Sequence, residues 1–260
     1  MKSWLIPILP VLCLSSSLWS QEAYCQQDWN CDVDDFITKA IGIEEPWLEN
    51  SGYIYAQASH DQPSSLTLAP EIEGRFSDQI GVELDLPGFS ANFPLGRGQS
   101  SLGPTAVGLK FAALHECNPA RGEATLVTFE LEGQYSPNKL SGEGNSVSPQ
   151  VMWAQLWYPW FTQGETGYTQ QVGNGVINGW FLNTSLGRAF HGVYSVQLEV
   201  EGDNQLIMAN GQRGYEGYLM PQVAYHAGQK WLFALGEQME KQQGNQVTSW
   251  STWGMIEREF

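Results

Sequence analysis

From Ser51 onward, apolar and polar residues alternate with a period of two. Between 65 and 76, Leu66, Leu68, Pro70, Ile72, Gly74 and Phe76 share one face, and Ser65, Thr67, Ala69, Glu71, Glu73 and Arg75 the other. After Ser77-Asp78-Gln79, the residues Ile80, Val82, Leu84 and Leu86 alternate with Gly81, Glu83 and Asp85, which reads as strand, tight turn, strand. The pattern returns at Val107, Leu109, Phe111 and Ala113, at Val127, Phe129, Leu131 and Tyr135, and at Tyr194, Val196, Leu198 and Val200. It predicts strands near 51–60, 64–76, 80–89, 105–116, 124–137, 148–160, 166–173, 176–187, 193–204, 215–227, 230–242 and 246–260, about twelve in all. The connections 77–79, 188–192 and 227–229 are short, whereas 90–104, 138–147 and 203–214 are long and rich in Gly, Ser, Asn or Pro.

Short turns on one side and long loops on the other are how transmembrane antiparallel barrels are arranged, and strands of about ten residues cross a bilayer at a tilt. The charges support that reading. Glu71, Glu73, Arg75, Glu83, Asp85, Lys110, Glu130, Glu132, Glu199 and Glu201 all fall on the polar face, so they are expected to line a lumen. Glu71 and Glu83 are expected to be neighbours across their hairpin. The apolar face, with Leu68, Ile72, Leu84, Leu109 and Phe129, is expected to meet outer-membrane lipid. Aromatic clusters near strand ends (Trp153, Trp157, Tyr158, Trp160 and Phe161; Trp180 and Phe181; Trp250 and Trp253) resemble interfacial girdles. Alternation alone does not say which face meets lipid, so a soluble secreted ligand-binding barrel and a non-transporting structural barrel stay open as alternatives. Whether the lumen is an open pore or is filled by its own side chains also stays open.

The first twenty residues have a different design. Lys2, an apolar run from Trp4 to Leu14, and a small-residue tail ending at Ser20 are the parts of a secretory signal peptide. Residues 21–50 form an acidic periplasmic segment. Its stretch Phe36, Ile37, Ala40 and Ile41 has helical spacing, and it reads as a short helix, an insert into the barrel mouth, or a loose leader. Export to an oxidising compartment predicts a Cys25–Cys31 disulfide, which leaves Cys117 over.

Several stretches resemble known barrels. Leu68–Pro87 is similar to the second hairpin, and Gly103–Phe111 to the strand after the long loop, of the outer-membrane barrel family named for the meta-pathway of phenol degradation. The resemblance implies an outer-membrane channel or transporter that takes up small, often aromatic or hydrophobic, compounds. The ending Thr252–Phe260 resembles the signal read by the bacterial barrel assembly machinery, with Ile256 and Phe260 as its periodic residues and Arg258 where an apolar residue usually stands.

Composition narrows the field. Twelve Lys and Arg against 28 Asp and Glu give a formal charge of -16, which excludes a nucleic-acid binder because phosphates could not be neutralised. No enzymatic role is expected. His60, His115, His191 and His226 are scattered without zinc spacing, and Gly-x-Ser-x-Gly is absent. His191 and Ser195, four positions apart along a strand, are about 13 Å apart and cannot share a proton, so His191 reads as a turn residue. Asp32, Asp34 and Asp35 lack the Gly and Glu of a calcium loop. No catalytic residue, metal ligand or cofactor is expected; the partners expected are membrane lipid, the assembly machinery and an unidentified small solute.

Overall fold

The computed structural model describes residues 37–61, 64–93, 100–118, 120–136, 144–172, 178–204, 214–228, 230–244 and 248–260. The expected signal peptide, Cys25, Cys31, Asp32, Asp34 and Asp35 lie outside these residues. Fourteen strands form one antiparallel sheet: β1 (Ser51–Ser59), β2 (Ser64–Arg75), β3 (Ile80–Asp85), β4 (Phe89–Phe93), β5 (Ser100–Leu102), β6 (Thr105–Asn118), β7 (Glu123–Tyr135), β8 (Ser146–Trp157), β9 (Trp160–Gln171), β10 (Asn178–Phe190), β11 (Tyr194–Asp203), β12 (Glu216–His226), β13 (Trp231–Gln242) and β14 (Ser249–Glu259). Each barrel strand pairs with its neighbours in sequence, and β1 also pairs with β14 from Ser51↔Glu259 to Ser59↔Ser251. The result is a closed ring of twelve strands, with the β4–β5 hairpin attached to the upper part of β2. Closure leaves no unpaired edge around the ring. No helix among the described residues is long and apolar enough to cross a membrane.

Strand boundaries shift by a few residues throughout, and two differ most from the sequence reading. The strand expected at 80–89 is broken at Leu86-Pro87-Gly88, because Pro87 has no N–H to give the ladder. β3 then pairs with the lower half of β2 and β4 with its upper half. The strand expected at 166–173 begins instead at Trp160, because Tyr158-Pro159 turns the chain in two residues. On the next hairpin, His191 and Gly192 both take positive φ, 58° and 64°, and Val193 N–H donates to Phe190 O at 3.1 Å. Two left-handed residues in a row make the turn whose twist suits a hairpin.

Alternation places the apolar face outward. Leu68, Ile72, Leu109, Phe129 and Leu131 are exposed on the outer wall, and Leu84 is half-buried there. Trp157, Trp160, Tyr194, Tyr225 and Trp231 ring the wall near the short turns; Tyr135, Trp180, Tyr215 and Trp250 ring it near the long loops. Not every clustered aromatic joins a girdle. Phe161 is fully buried inside, Phe181 faces inward, and Trp253 points into the lumen, where its Nε1 donates to Gln238 Oε1 at 2.7 Å. Strand parity sends adjacent residues to opposite faces, so a run of aromatics is necessarily divided between them.

A bulge at Ala112–Leu114 in β6 shifts the register by one residue. Beyond it the odd-numbered positions turn from outside to inside. Cys117 thereby packs against the interior cluster that includes Ala124, Leu126 and Leu156. Cys117 is disulfide-bonded, which corrects the expectation that it would be left over; the other three cysteines lie outside the described residues.

Arginine at Leu109, near the middle of the outer wall, is expected to lower stability by about 2–4 kcal/mol in lipid vesicles, whereas Glu132→Gln on the inner face should change it little. Urea unfolding in vesicles measures both. Equal midpoints for wild type and Leu109→Arg would mean that this wall does not meet lipid.

Candidate functional site: a strapped, acidic lumen

Residues 37–50 lie inside the barrel as an irregular strap. Ile37 and Trp47 pack with Ala124, Leu126, Ala154, Leu156, Phe161 and Ala189 at the short-turn end. Between them the chain rises to mid-barrel, where Ile41 meets Tyr53, Met220, Ala224 and Met255. The helical spacing of 36–41 does not produce a helix over its described part, 37–41. The wall supplies the reason. Buried irregular backbone needs a hydrogen-bond partner for each polar group, and here wall side chains provide them. Gln163 Nε2 donates to Thr38 O at 2.6 Å, and Gln197 Nε2 to Lys39 O at 3.2 Å. Ile41 N donates to Gln222 Oε1 at 3.1 Å, Gly42 N to Glu199 Oε2 at 3.3 Å, and Glu44 N to Glu165 Oε2 at 3.1 Å. Thr128 Oγ1 donates to Pro46 O. Gly42 is a point of close approach: a Cβ there would meet the Tyr218 hydroxyl and the Glu199 carboxylate, whose ends would have to shift.

Two lysines sit among the carboxylates. Lys110 of β6 pairs with Glu73 at 2.5 Å, Glu83 at 2.7 Å and Glu44 at 3.8 Å. Lys39 of the strap pairs with Glu71 at 3.1 Å, Glu44 at 3.4 Å and Glu45, and its Nζ lies 4.0 Å from the centre of the Tyr53 ring. Tyr53 in turn donates to Glu45 at 2.8 Å and contacts Glu49. Both lysines are buried. Burial alone would disfavour each charge in the strap. For Lys39 the fields of Glu44, Glu45 and Glu71 outweigh it and hold the ammonium well above 10.5. For Glu45, Lys39 and Lys110 outweigh it and bring the carboxyl down to about 2. Glu44 goes the other way, pushed up by burial and by Glu83.

The residues expected to line a lumen are not all in one place. Glu71, Glu73, Glu83, Lys110, Glu130 and Glu199 are buried inside the barrel, and Asp85, Glu132 and Glu201 are half-buried. Arg75 is different: it stands at the rim with its guanidinium on Asp78 of the following turn, so it neutralises nothing in the interior. The hairpin register also differs from expectation. Glu73 faces Glu83 and Glu71 faces Asp85, so Glu71 and Glu83 are diagonal. Ile256 lies on the outer wall and Phe260 at its lower rim, where its N–H donates to Asn50 O at 2.9 Å. Arg258 shares that outer face, 5.2 Å from the Trp231 ring and 6.0 Å from the Phe260 ring.

Sequence reasoning missed Lys39, Glu44, Glu45, Glu165, and the glutamines 163, 197 and 222. Gln197 and Gln222 stood at inward parity in expected strands, whereas Gln163 and Glu165 lay before the strand expected at 166–173, where no parity was read. Above the strap, toward the long loops, a cavity of about 290 Å³ remains, floored by Glu44 and walled by residues of β7 to β11.

A closed twelve-stranded antiparallel barrel with an apolar outer wall and a polar interior is the build of an outer-membrane porin. Among solved structures, the NanC porin in its rhombohedral crystal form matches with a TM-score of 0.55 at 10% identity, over 80% of this chain and 100% of that chain. The KdgM porin in complex with disordered oligogalacturonate matches with a TM-score of 0.50 at 12% identity, over 80% and 99%. No family model and no curated protein matches the chain, so the phenol meta-pathway family is not confirmed. At these identities the likeness is to the fold.

Lys39→Met should undock the strap, because it leaves Glu45 and Glu71 buried without their cation, at a cost of about 3–5 kcal/mol. Amide exchange over 38–46 should rise to solvent rates while the strands stay protected. The pH dependence follows from the same pair. The Glu45 contribution is full above 4.5 and is lost as pH falls through about 2; that of Lys39 is full below 10.5 and is lost well above it. Exchange corrected for its intrinsic pH dependence should therefore show a docked strap across the neutral range. Undocking near neutral pH would contradict the pairing.

Proposed function

We propose that this chain is an outer-membrane barrel for passive passage of small solutes, closed by its own strap in the state described. The observation that supports the reading is the pairing of an apolar outer wall with a charged, hydrogen-bonding interior, since an interior meant only to be filled could be apolar at less cost. The phenol-pathway resemblance suggests aromatic solutes, but a carboxylate-rich lumen favours cations. A second reading, a non-transporting barrel, is favoured by the filled lower lumen.

Conductance across a planar bilayer decides between them. Wild-type protein is expected to open rarely and Lys39→Met often, with a reversal potential under a salt gradient that shows cation selectivity. Glu132→Gln combined with Glu201→Gln should reduce that selectivity. No steps from either protein would leave the non-transporting barrel, and anion selectivity would remove the carboxylates from the path.

Export through a signal peptide and insertion by the barrel assembly machinery belong to the same proposal, with Ile256 and Phe260 as the recognised residues. Both are on the outer surface, where another protein could reach them. Deleting Phe260 is expected to reduce the outer-membrane fraction severely. Equal amounts with and without it would make Phe260 an ordinary end residue.

A further inference from the structure

The outer wall is not evenly filled. Across β9 to β14 it carries a groove of about 770 Å³, within the roughly 300–1,000 Å³ of small-molecule sites. Side-chain size accounts for it. One row of cross-strand partners runs Phe190↔Tyr194, Tyr194↔Tyr225 and Tyr225↔Phe233, a ridge of rings near the short turns. The next row runs Arg188↔Val196, Val196↔Val223 and Val223↔Leu235, and its valines leave a trough behind the ridge. The row beyond, Leu186↔Leu198 and Leu198↔Pro221, forms the other bank. Pro221 gives the ladder no N–H, and pairing of β12 with β13 skips from Leu219↔Met239 to Gln222↔Gly236.

An apolar groove alone does not name its occupant, but the charge at its short-turn end does. The Arg188 guanidinium carbon lies 5.4 Å from the centre of the Trp160 ring and 5.1 Å from that of Phe190. Those rings hold the cation in place without neutralising it. Its Nε is enclosed, but its two Nη groups are not, and neither donates to an acceptor among the described residues. No carboxylate among them pairs with it either. A cation on a lipid-facing wall is costly at depth and tolerable near the interface, where headgroups offer anions. The other ionisable side chain of the groove, Glu237, stands at the far end and already has partners: it accepts from Thr252 Oγ1 at 2.7 Å and lies 3.7 Å from His60 Nε2. The groove therefore has one unmatched charge, a positive one, at headgroup level. A guanidinium presents its N–H groups as a planar fork that fits phosphate oxygens.

We propose that this groove is a binding site for one anionic glycerophospholipid, with its phosphodiester on the Nη groups of Arg188 and an acyl chain along Val196, Val223 and Leu235. The proposal rests on the reading of the outer wall as lipid-facing and adds to it one specific, retained lipid. Passage of solutes through the bore is not required.

Native mass spectrometry of the detergent-purified full chain tests it, with dioleoylphosphatidylglycerol as probe and dioleoylphosphatidylcholine and oleate as controls. Wild-type protein should hold one phosphatidylglycerol about tenfold more tightly than phosphatidylcholine, whose choline cancels the phosphate charge. Oleate, with a carboxylate and no phosphodiester, should bind more weakly than phosphatidylglycerol. Arg188→Gln should abolish the preference, and Val223→Phe, which fills the trough, should weaken both phospholipids about tenfold. Arg258→Gln should keep the preference, because Arg258 rests on rings at the rim and does not line the groove. Equal binding of the two phospholipids by wild type would overturn the proposal, and that comparison needs no variant to fold. So would an unchanged preference in folded Arg188→Gln, its loss in Arg258→Gln, undiminished binding by folded Val223→Phe, or oleate binding as tightly as phosphatidylglycerol. A chain that stays soluble without detergent would remove the lipid-facing wall and this site with it. A barrel that needs detergent yet shows no preference would lose this site alone.

Discussion

Lys39 sets the terms for the rest of the interior. Among the described residues, inward carboxylates on β2 and β3 have only one nearby cation from the wall, Lys110, which Glu73 and Glu83 already hold. Glu71 is reached by Lys39, which the strap brings in from outside the sheet. Charges this deep in a barrel persist only when paired and hydrogen-bonded. The strap therefore completes the wall as much as it obstructs the lumen. Its other contacts, glutamine amides on carbonyls and carboxylates on N–H groups, let a chain without regular structure rest among charges.

The division of labour along the barrel follows from that arrangement. At the short-turn end the interior is apolar and packed, with Ile37 and Trp47 against small residues such as Ala124, Ala154 and Ala189. At mid-height it is ionic. Toward the long loops it opens into a cavity lined by Glu132, Glu165, Glu201 and Asp203. Any solute arriving from the long-loop side meets the acidic region before it meets the strap.

How much of this the sequence disclosed depends on whether the signal was periodic. Strand number, the inward set of carboxylates and the outward apolar wall were legible because a period of two is written into every strand. Trp253 and Phe161 were misplaced because clustering was read without parity. The β6 bulge was illegible, since Ala112-Ala113-Leu114 carries no polar mark to show which residue is extra. That single shift decides that Cys117 faces inward. An insert into the barrel mouth was one of the readings open for residues 21–50, and nothing periodic singled it out, because much of the docking uses backbone atoms, whose chemistry is the same in every residue. The wall residues that hold it are Gln, Thr and Glu, types that also belong on any wet surface. Arg75 had inward parity, but Asp78 three residues later offered a nearer partner in the turn.

The placement of the strap has a topological consequence. Its two described ends, at Ile37 and Ser51, both lie at the short-turn mouth of the barrel, and only the bend between them reaches the middle. Over the described residues it is a loop pushed into a bottle neck. Withdrawal of the bend at 38–46 would therefore need no strand to part. The ring can stay zipped from β1 to β14 while its stopper slides, so occupancy of the bore and integrity of the ring are separable degrees of freedom.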